Sequence, residues 1–175
     1  MLDTRGLHGL SCRFSAGWLP RHSALNEIVK QSLQSAGIPS VLEPAGMDRG
    51  DGKRPDGVAV FPFARGKSLC WDATCVDTFA ETNLLRSPAS EAEKAKIRKY
   101  SALTNRYRFK PSEVETGGVY DSTTGSVIAE MSRRITEVTG EQRETFWMKQ
   151  RIGLAIQRGN AHSILAAAVR GYGMI

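Results

Sequence analysis

The sequence predicts an α/β fold of the α+β kind: a mixed sheet flanked by helices, with a helical C-terminal extension. Three observations predict it. Apolar residues recur at helical spacing from His22 to Ala36, two runs rich in Val, Phe and Trp flank a short glycine-containing loop, and the last third of the chain is helical in period throughout. With 175 residues the chain fits one domain with a small appendage and leaves no room for two enzymatic domains. No apolar run approaches the roughly 20 residues of a membrane span. Cys12, Cys70 and Cys75 form no CxxC pair and no even-numbered framework, so a secreted disulfide scaffold is not indicated. An intracellular setting is expected, nuclear if the source is eukaryotic.

Residues 1–20 read as a lead-in. The first helix, His22 to Ala36, carries Ala24, Leu25, Ile28, Val29, Leu33 and Ala36, with Gly37 as its stop. A strand from Ile38 to Glu43 and a glycine-rich loop from Ala45 to Lys53 follow. Gly57 to Phe63 and Lys67 to Val76 are then strands of a hairpin with the three-residue loop Ala64-Arg65-Gly66. If Phe63 pairs with Lys67, Val58 faces Asp72 and Asp56 faces Thr74, all on one side of the sheet. The other side collects Ala59, Phe61, Phe63, Leu69, Trp71, Ala73 and Cys75 as core. A loop with an even number of residues would put the two aspartates on opposite faces.

A helix from Ala89 to Arg106, capped by Ser90, comes next, and Val114 to Val119 is a further strand. Helices over Thr124 to Val138, Glu141 to Arg158 and Asn160 to Val169 are divided by Gly140 and Gly159. The domain bounds are then a lead-in over 1–20, a core over 21–122 and a helical extension over 123–175 packed on it.

The net charge is +6, and it is uneven: residues 1–87 contribute +1 and residues 88–175 contribute +5. The excess centres on Lys94 to Lys110, where Lys94, Lys96, Arg98, Lys99, Arg106, Arg108 and Lys110 meet no acidic residue. Such a stretch suits a polyanion, or is a solvated helix face. On a helical wheel Lys96, Tyr100, Leu103 and Tyr107 share one sector, and Lys96 is the charge on that inward stripe. An ammonium there needs an anionic partner, which the two aspartates could supply, or else snorkels at the edge of the stripe.

Arg54-Pro55-Asp56 and Asp72-Ala73-Thr74 therefore form the strongest chemical signal. Two carboxylates on neighbouring strands make a hard-oxygen site suited to Mg2+ or Mn2+. Such ions polarise a phosphoryl oxygen and generate hydroxide near neutral pH.

The order helix, strand, Pro-Asp hairpin, Asp-x-Thr, helix resembles the PD-(D/E)XK, restriction-endonuclease-like fold, with Thr74 where most members carry lysine. Arg21-His22 with Asn26, Arg54-Pro55-Asp56, Asp72, and Lys96-x-x-Lys99-Tyr100 together resemble the restriction-like endonuclease domain of non-LTR retrotransposons, over roughly residues 21 to 100. That domain lies C-terminal to the reverse transcriptase and nicks target DNA, with its basic residue supplied from the later helix. The resemblance implies a metal-dependent DNA endonuclease using Mg2+ or Mn2+. Asp56, Asp72, Lys96 and Lys99 would be catalytic, with Lys96 the favoured cation. Asp56, Asp72 and the Ala73 carbonyl would be metal ligands, with Glu43 as an additional candidate.

Arg21, His22, Asn26, Arg54, Lys94, Arg98, Tyr100 and Arg106 would support the site or hold DNA. DNA is the implied partner, with RNA or an RNA–DNA hybrid and an associated reverse transcriptase as further candidates, and no membrane. His8-x-x-x-Cys12 is similar to the last two ligands of the family's zinc knuckle, and two ligands do not make a zinc site, so no zinc is expected. The chain would then be a piece of a longer product. The competing expectation is a catalytically inactive nucleic-acid-binding remnant that keeps the basic helix.

Overall fold

Helix α1 (Trp18–Ser35) starts a turn earlier than the periodicity predicts. Pro20 falls in its first turn, where a missing N–H costs no helical hydrogen bond. The computed structural model describes residues 10, 16–47, 54–78, 94 and 96–172. His8, Cys12 and the predicted cap Ser90 lie outside them. α1 buries Leu25, Val29 and Leu33, and the chain turns at Gly37 (φ +71) into the short strand β1 (Ser40–Leu42).

Strands β2 (Gly57–Ala64) and β3 (Lys67–Val76) form the expected hairpin, but its loop has two residues. Ala64 pairs with Lys67 around Arg65 (φ +51) and Gly66 (φ +72), both left-handed as the tightest hairpin turns require. An even loop alone would have sent Asp56 and Asp72 to opposite faces. The register then slips between Ala64 and Pro62 and again between Pro62 and Val58, leaving Gly57 opposite Trp71. Those slips centre on Pro62, which has no N–H to give the ladder. They bring the start of β2 back beside the middle of β3, so that both aspartates line one cleft, and turn Phe61, expected in the core, outward to 57% exposure.

The sheet order is β1-β2-β3-β4, antiparallel except for the parallel pair of β3 with β4 (Arg108–Glu115). This last strand lies mostly ahead of the predicted Val114 to Val119. Residues 108–110 read as the tail of a basic run, yet Phe109 is buried between outward charges, and the edge position tolerates Pro111. Helix α2 (Ser122–Thr139) is capped by Asp121, whose carboxylate accepts from the Thr124 N–H at 2.8 Å, and stops at Gly140 (φ +79).

Helix α3 (Glu144–Tyr172) is one continuous element rather than two. Gly159 does not break it. A Cβ there would lie 2.1 Å from Cγ of Arg21, so the glycine is a point of close approach between α1 and α3. One apolar core joins α1, the sheet, α2 and α3, and includes Leu33, Ala59, Phe63, Leu69, Trp71, Met131, Met148 and Ile156. A smaller cluster of Cys70, Tyr100 and Phe109 covers the opposite face of the sheet. Among the described residues no helix is long and apolar enough to cross a membrane.

Gly57 faces Trp71 with no room to spare, since a Cβ would sit 2.1 Å from the indole ring. Trp71 is fully buried and cannot retreat. Gly57→Ala should therefore lower stability by about 1–3 kcal/mol in urea titration, whereas Gly66→Ala should act only through backbone strain at its positive φ.

Candidate active site

A cleft of about 470 Å³ opens where the N-terminal half of α1, the start of β2 and the middle of β3 converge. It is lined by Trp18, His22, Glu43, Arg54, Pro55, Asp56, Asp72, Ala73, Thr74, Cys75, Lys96 and Lys99. Asp56, Asp72, Lys96 and Lys99, predicted to be catalytic from the sequence, thus share one cavity. Asp56 sits just before β2 and is fixed from several sides. Its Oδ2 accepts from the Ala73 N–H at 2.7 Å and from His22 Nε2 at 3.0 Å, and its carbonyl accepts from the Glu43 N–H at 2.8 Å. Glu43 has φ +47, so the chain takes a left-handed step to make that last contact.

Burial pushes the Asp56 carboxyl up, but hydrogen bonds from His22, Ala73 and Asn26 and the His22 charge outweigh it and hold the pKa below its ordinary value. An ionised carboxylate only accepts, so His22 Nε2 carries the proton of their contact. The same hydrogen bond raises the His22 pKa, against desolvation and the Lys96 charge. In a strand the N–H and C=O of one residue point to the same side. The Ala73 carbonyl, predicted as a ligand, therefore shares the strand edge that faces Asp56.

Asp72 is buried and belongs to a second cluster. Lys96 arrives from the helical segment 96–99, its ammonium against Asp72 Oδ1, 2.9 Å from the Asp72 carbonyl and 3.4 Å from Glu113 Oε1. Lys99 stands 3.6 Å from Asp72 Oδ2. Lys96 faces inward, as its place on the helical wheel predicts, and meets carboxylates there. Glu113, one register step along the parallel pair, was missed by the sequence reading. It is fully buried, and neither carboxylate oxygen has a hydrogen-bond partner. Thr124 Oγ1 clamps its backbone, accepting from its N–H at 2.9 Å and donating to its carbonyl at 3.3 Å. Burial pushes the Glu113 pKa up to about 7, against the opposing charge of Lys96.

Several predicted contacts with DNA are corrected. Arg21 is buried between helices and donates to Asn160 Oδ1 (3.0 Å), Ser163 Oγ (3.1 Å) and the Leu10 carbonyl (3.3 Å). Asn26 is buried too, its Oδ1 accepting from Trp71 Nε1 at 3.0 Å. Tyr100 is fully buried against Phe109, with its hydroxyl donating to the Arg54 carbonyl at 3.0 Å. None of the three can reach a bound polyanion. Lys94, Arg98 and Arg106 are exposed, as a solvent-facing basic surface requires. Glu43, the additional candidate ligand, lines the cleft at its exposed rim, where its carboxylate pairs with Arg54.

Among the described residues no three His, Cys, Asp or Glu side chains form a metal-binding group. Asp56 and Asp72 nonetheless offer the donor chemistry that Mg2+ takes, one or two carboxylates completed by water and phosphate oxygens. No protein-family model matches the chain, and no curated protein is significantly similar to it.

The charged cluster fixes a pH signature. His22 and Glu113 bind protons more tightly when folded than at their ordinary values of 6.5 and 4.5. Their stabilising contribution is full below those values and is lost as pH rises through the folded ones, near 7 for Glu113. Asp56, with its depressed pKa, acts in the opposite direction and is lost in acid below its ordinary 3.8. Stability in urea should thus peak near about pH 5 and fall toward about pH 8. In Glu113→Gln the fall should be smaller and the variant at least as stable as the parent at the alkaline end. An unchanged slope would contradict this assignment.

Proposed function

We propose that the cleft is the active site of a metal-dependent DNA endonuclease, of the kind found in the restriction-like domain of non-LTR retrotransposons. The observation that supports this reading best is the placement of Lys96. Thr74 brings no charge to the cleft, and an ammonium from a segment 24 residues beyond Asp72 lies on its carboxylate instead. Two acids and a cation gathered in one cleft supply groups that phosphodiester hydrolysis uses.

In this reading Asp56 and Asp72, with the Ala73 carbonyl, hold a divalent cation, which when bound supplies charge neutralisation and water activation. Water forms a bond to phosphorus as the bond to the leaving sugar oxygen breaks. Lys96, immobilised between Asp72 and Glu113, holds the attacking water and faces the charge that develops on the phosphate. Lys99 adds a second positive charge, and Arg54 at the rim meets the flanking phosphate. His22 keeps Asp56 ionised and oriented. Lys94, Arg98 and Arg106 carry the DNA backbone toward the cleft.

The second reading is a binding remnant. It is favoured by the closed pairing of the site, where Asp72 already has two ammonium partners and Asp56 has His22. Supercoiled plasmid separates the two. An active nuclease converts it to nicked circles in Mg2+ or Mn2+ and not in EDTA, and Asp72→Asn and Lys96→Met each lower the rate by about 100-fold or more while circular dichroism stays native. Plasmid that is retarded in a salt-sensitive manner but never nicked identifies the remnant. Equal nicking by parent and variants rejects this cleft as the active site.

A further inference from the structure

Trp18 opens α1 at the mouth of the cleft, outside the apolar core. The residue is 46% exposed, although aromatic side chains of this size ordinarily contribute most when buried. It lies parallel to the His22 ring, with the planes 7° apart and the centroids 5.9 Å apart. His22 in turn is held by Asp56 at 3.0 Å. The His22 ring thus lies between the indole and Asp56, which puts Trp18 one ring away from a carboxylate of the site. Besides His22 it is the aromatic group among the lining residues, and the remaining lining includes the cations of Arg54, Lys96 and Lys99.

The lining also holds the carboxylates of Glu43, Asp56 and Asp72, so its cations are paired within the site. A flat exposed ring beside paired cations that a phosphate can share is an arrangement that suits an unpaired nucleotide, the ring taking a base and the cations its phosphate. Bases inside a duplex are already stacked on their neighbours and cannot offer a face to an indole without leaving the helix. A general protein-docking role explains the exposure but not the parallel seating on His22 or the place at the mouth of this cleft.

From this geometry we infer that Trp18, braced by His22, is a stacking platform for an unpaired nucleobase. The cleft then favours nucleic acid with an unpaired nucleotide beside the scissile phosphate, such as a flap, a junction, a single strand or a base that supercoiling unpairs, over relaxed, uninterrupted duplex. The inference rests on the proposal that this cleft binds nucleic acid.

The test is binding by the full chain in EDTA, followed by fluorescence anisotropy. The probes are three labelled DNAs of related sequence: a short single strand, a duplex with a single-stranded flap, and a blunt duplex. The parent should prefer the first two. Trp18→Ala should weaken those two by roughly 5- to 150-fold, the range for losing one base–aromatic stack, and change blunt duplex less than about twofold. Trp18→Phe should recover most of the loss. A second measurement does not depend on the variant being well folded. In Trp147→Phe, which retains buried Trp71 and exposed Trp18, unlabelled single strand should quench tryptophan emission. Equal loss on all three DNAs, no loss, or no quenching overturns the stacking platform while leaving the nuclease proposal standing. Absence of binding to every DNA at low salt overturns both.

Discussion

The cleft is anchored to the core by one buried hydrogen bond, from Trp71 Nε1 to Asn26 Oδ1. Trp71 is among the largest fully buried side chains, and its polar tip must find an acceptor there or cost about 1–3 kcal/mol. The indole only donates, so Asn26 presents its oxygen and turns its amide nitrogen toward the His22 ring, 3.4 Å from Nδ1. His22 then meets Asp56. Core packing and site geometry are thus linked through three side chains. Gly57, next to Asp56 and without a Cβ, is what lets Trp71 occupy its place.

A second constraint acts from the other side of the sheet. Parallel pairing brings Glu113 on β4 beside the β3 segment that carries Asp72, and both contact one ammonium. Removing a carboxylate from water without hydrogen bonds is costly, so Glu113 depends on the charge of Lys96 and on a raised pKa. A buried cluster of this kind contributes little to stability on its own account. Its consequence is positional, since Lys96 is confined between two strands that are themselves fixed by the sheet.

The third link joins α1 to the C-terminal helix. Arg21 ties α1 to Asn160 and Ser163, and Asn160 donates to the Thr116 carbonyl at 2.8 Å just past β4. The C-terminal helix is thereby part of the support for α1, and so for Trp18 and His22 at the cleft. The boundary near residue 122 separates elements in sequence but does not divide the core.

Much of this was legible in the chain because it depends on short-range pattern. Helical spacing located α1 and α2, alternation located the hairpin, and a single wheel singled out Lys96. Asp56 and Asp72 were expected close together and do line one cleft, brought there by an even loop with slips around Pro62 instead of by an odd loop. What remained hidden depends on contacts between distant segments. Arg21 looked like a surface cation until Gly159, more than a hundred residues on, made space for its stem. Tyr100 and Asn26 carry polar groups that could serve a ligand, and they serve the Arg54 carbonyl and Trp71 instead. Glu113 followed a basic run and had no motif, and only the pairing of β4 with β3 gave it Lys96. Local periodicity determines which face a residue shares with its neighbours in sequence. Which distant segment packs against that face, and therefore whether a charge is paired, buried or open to a ligand, is decided by tertiary structure.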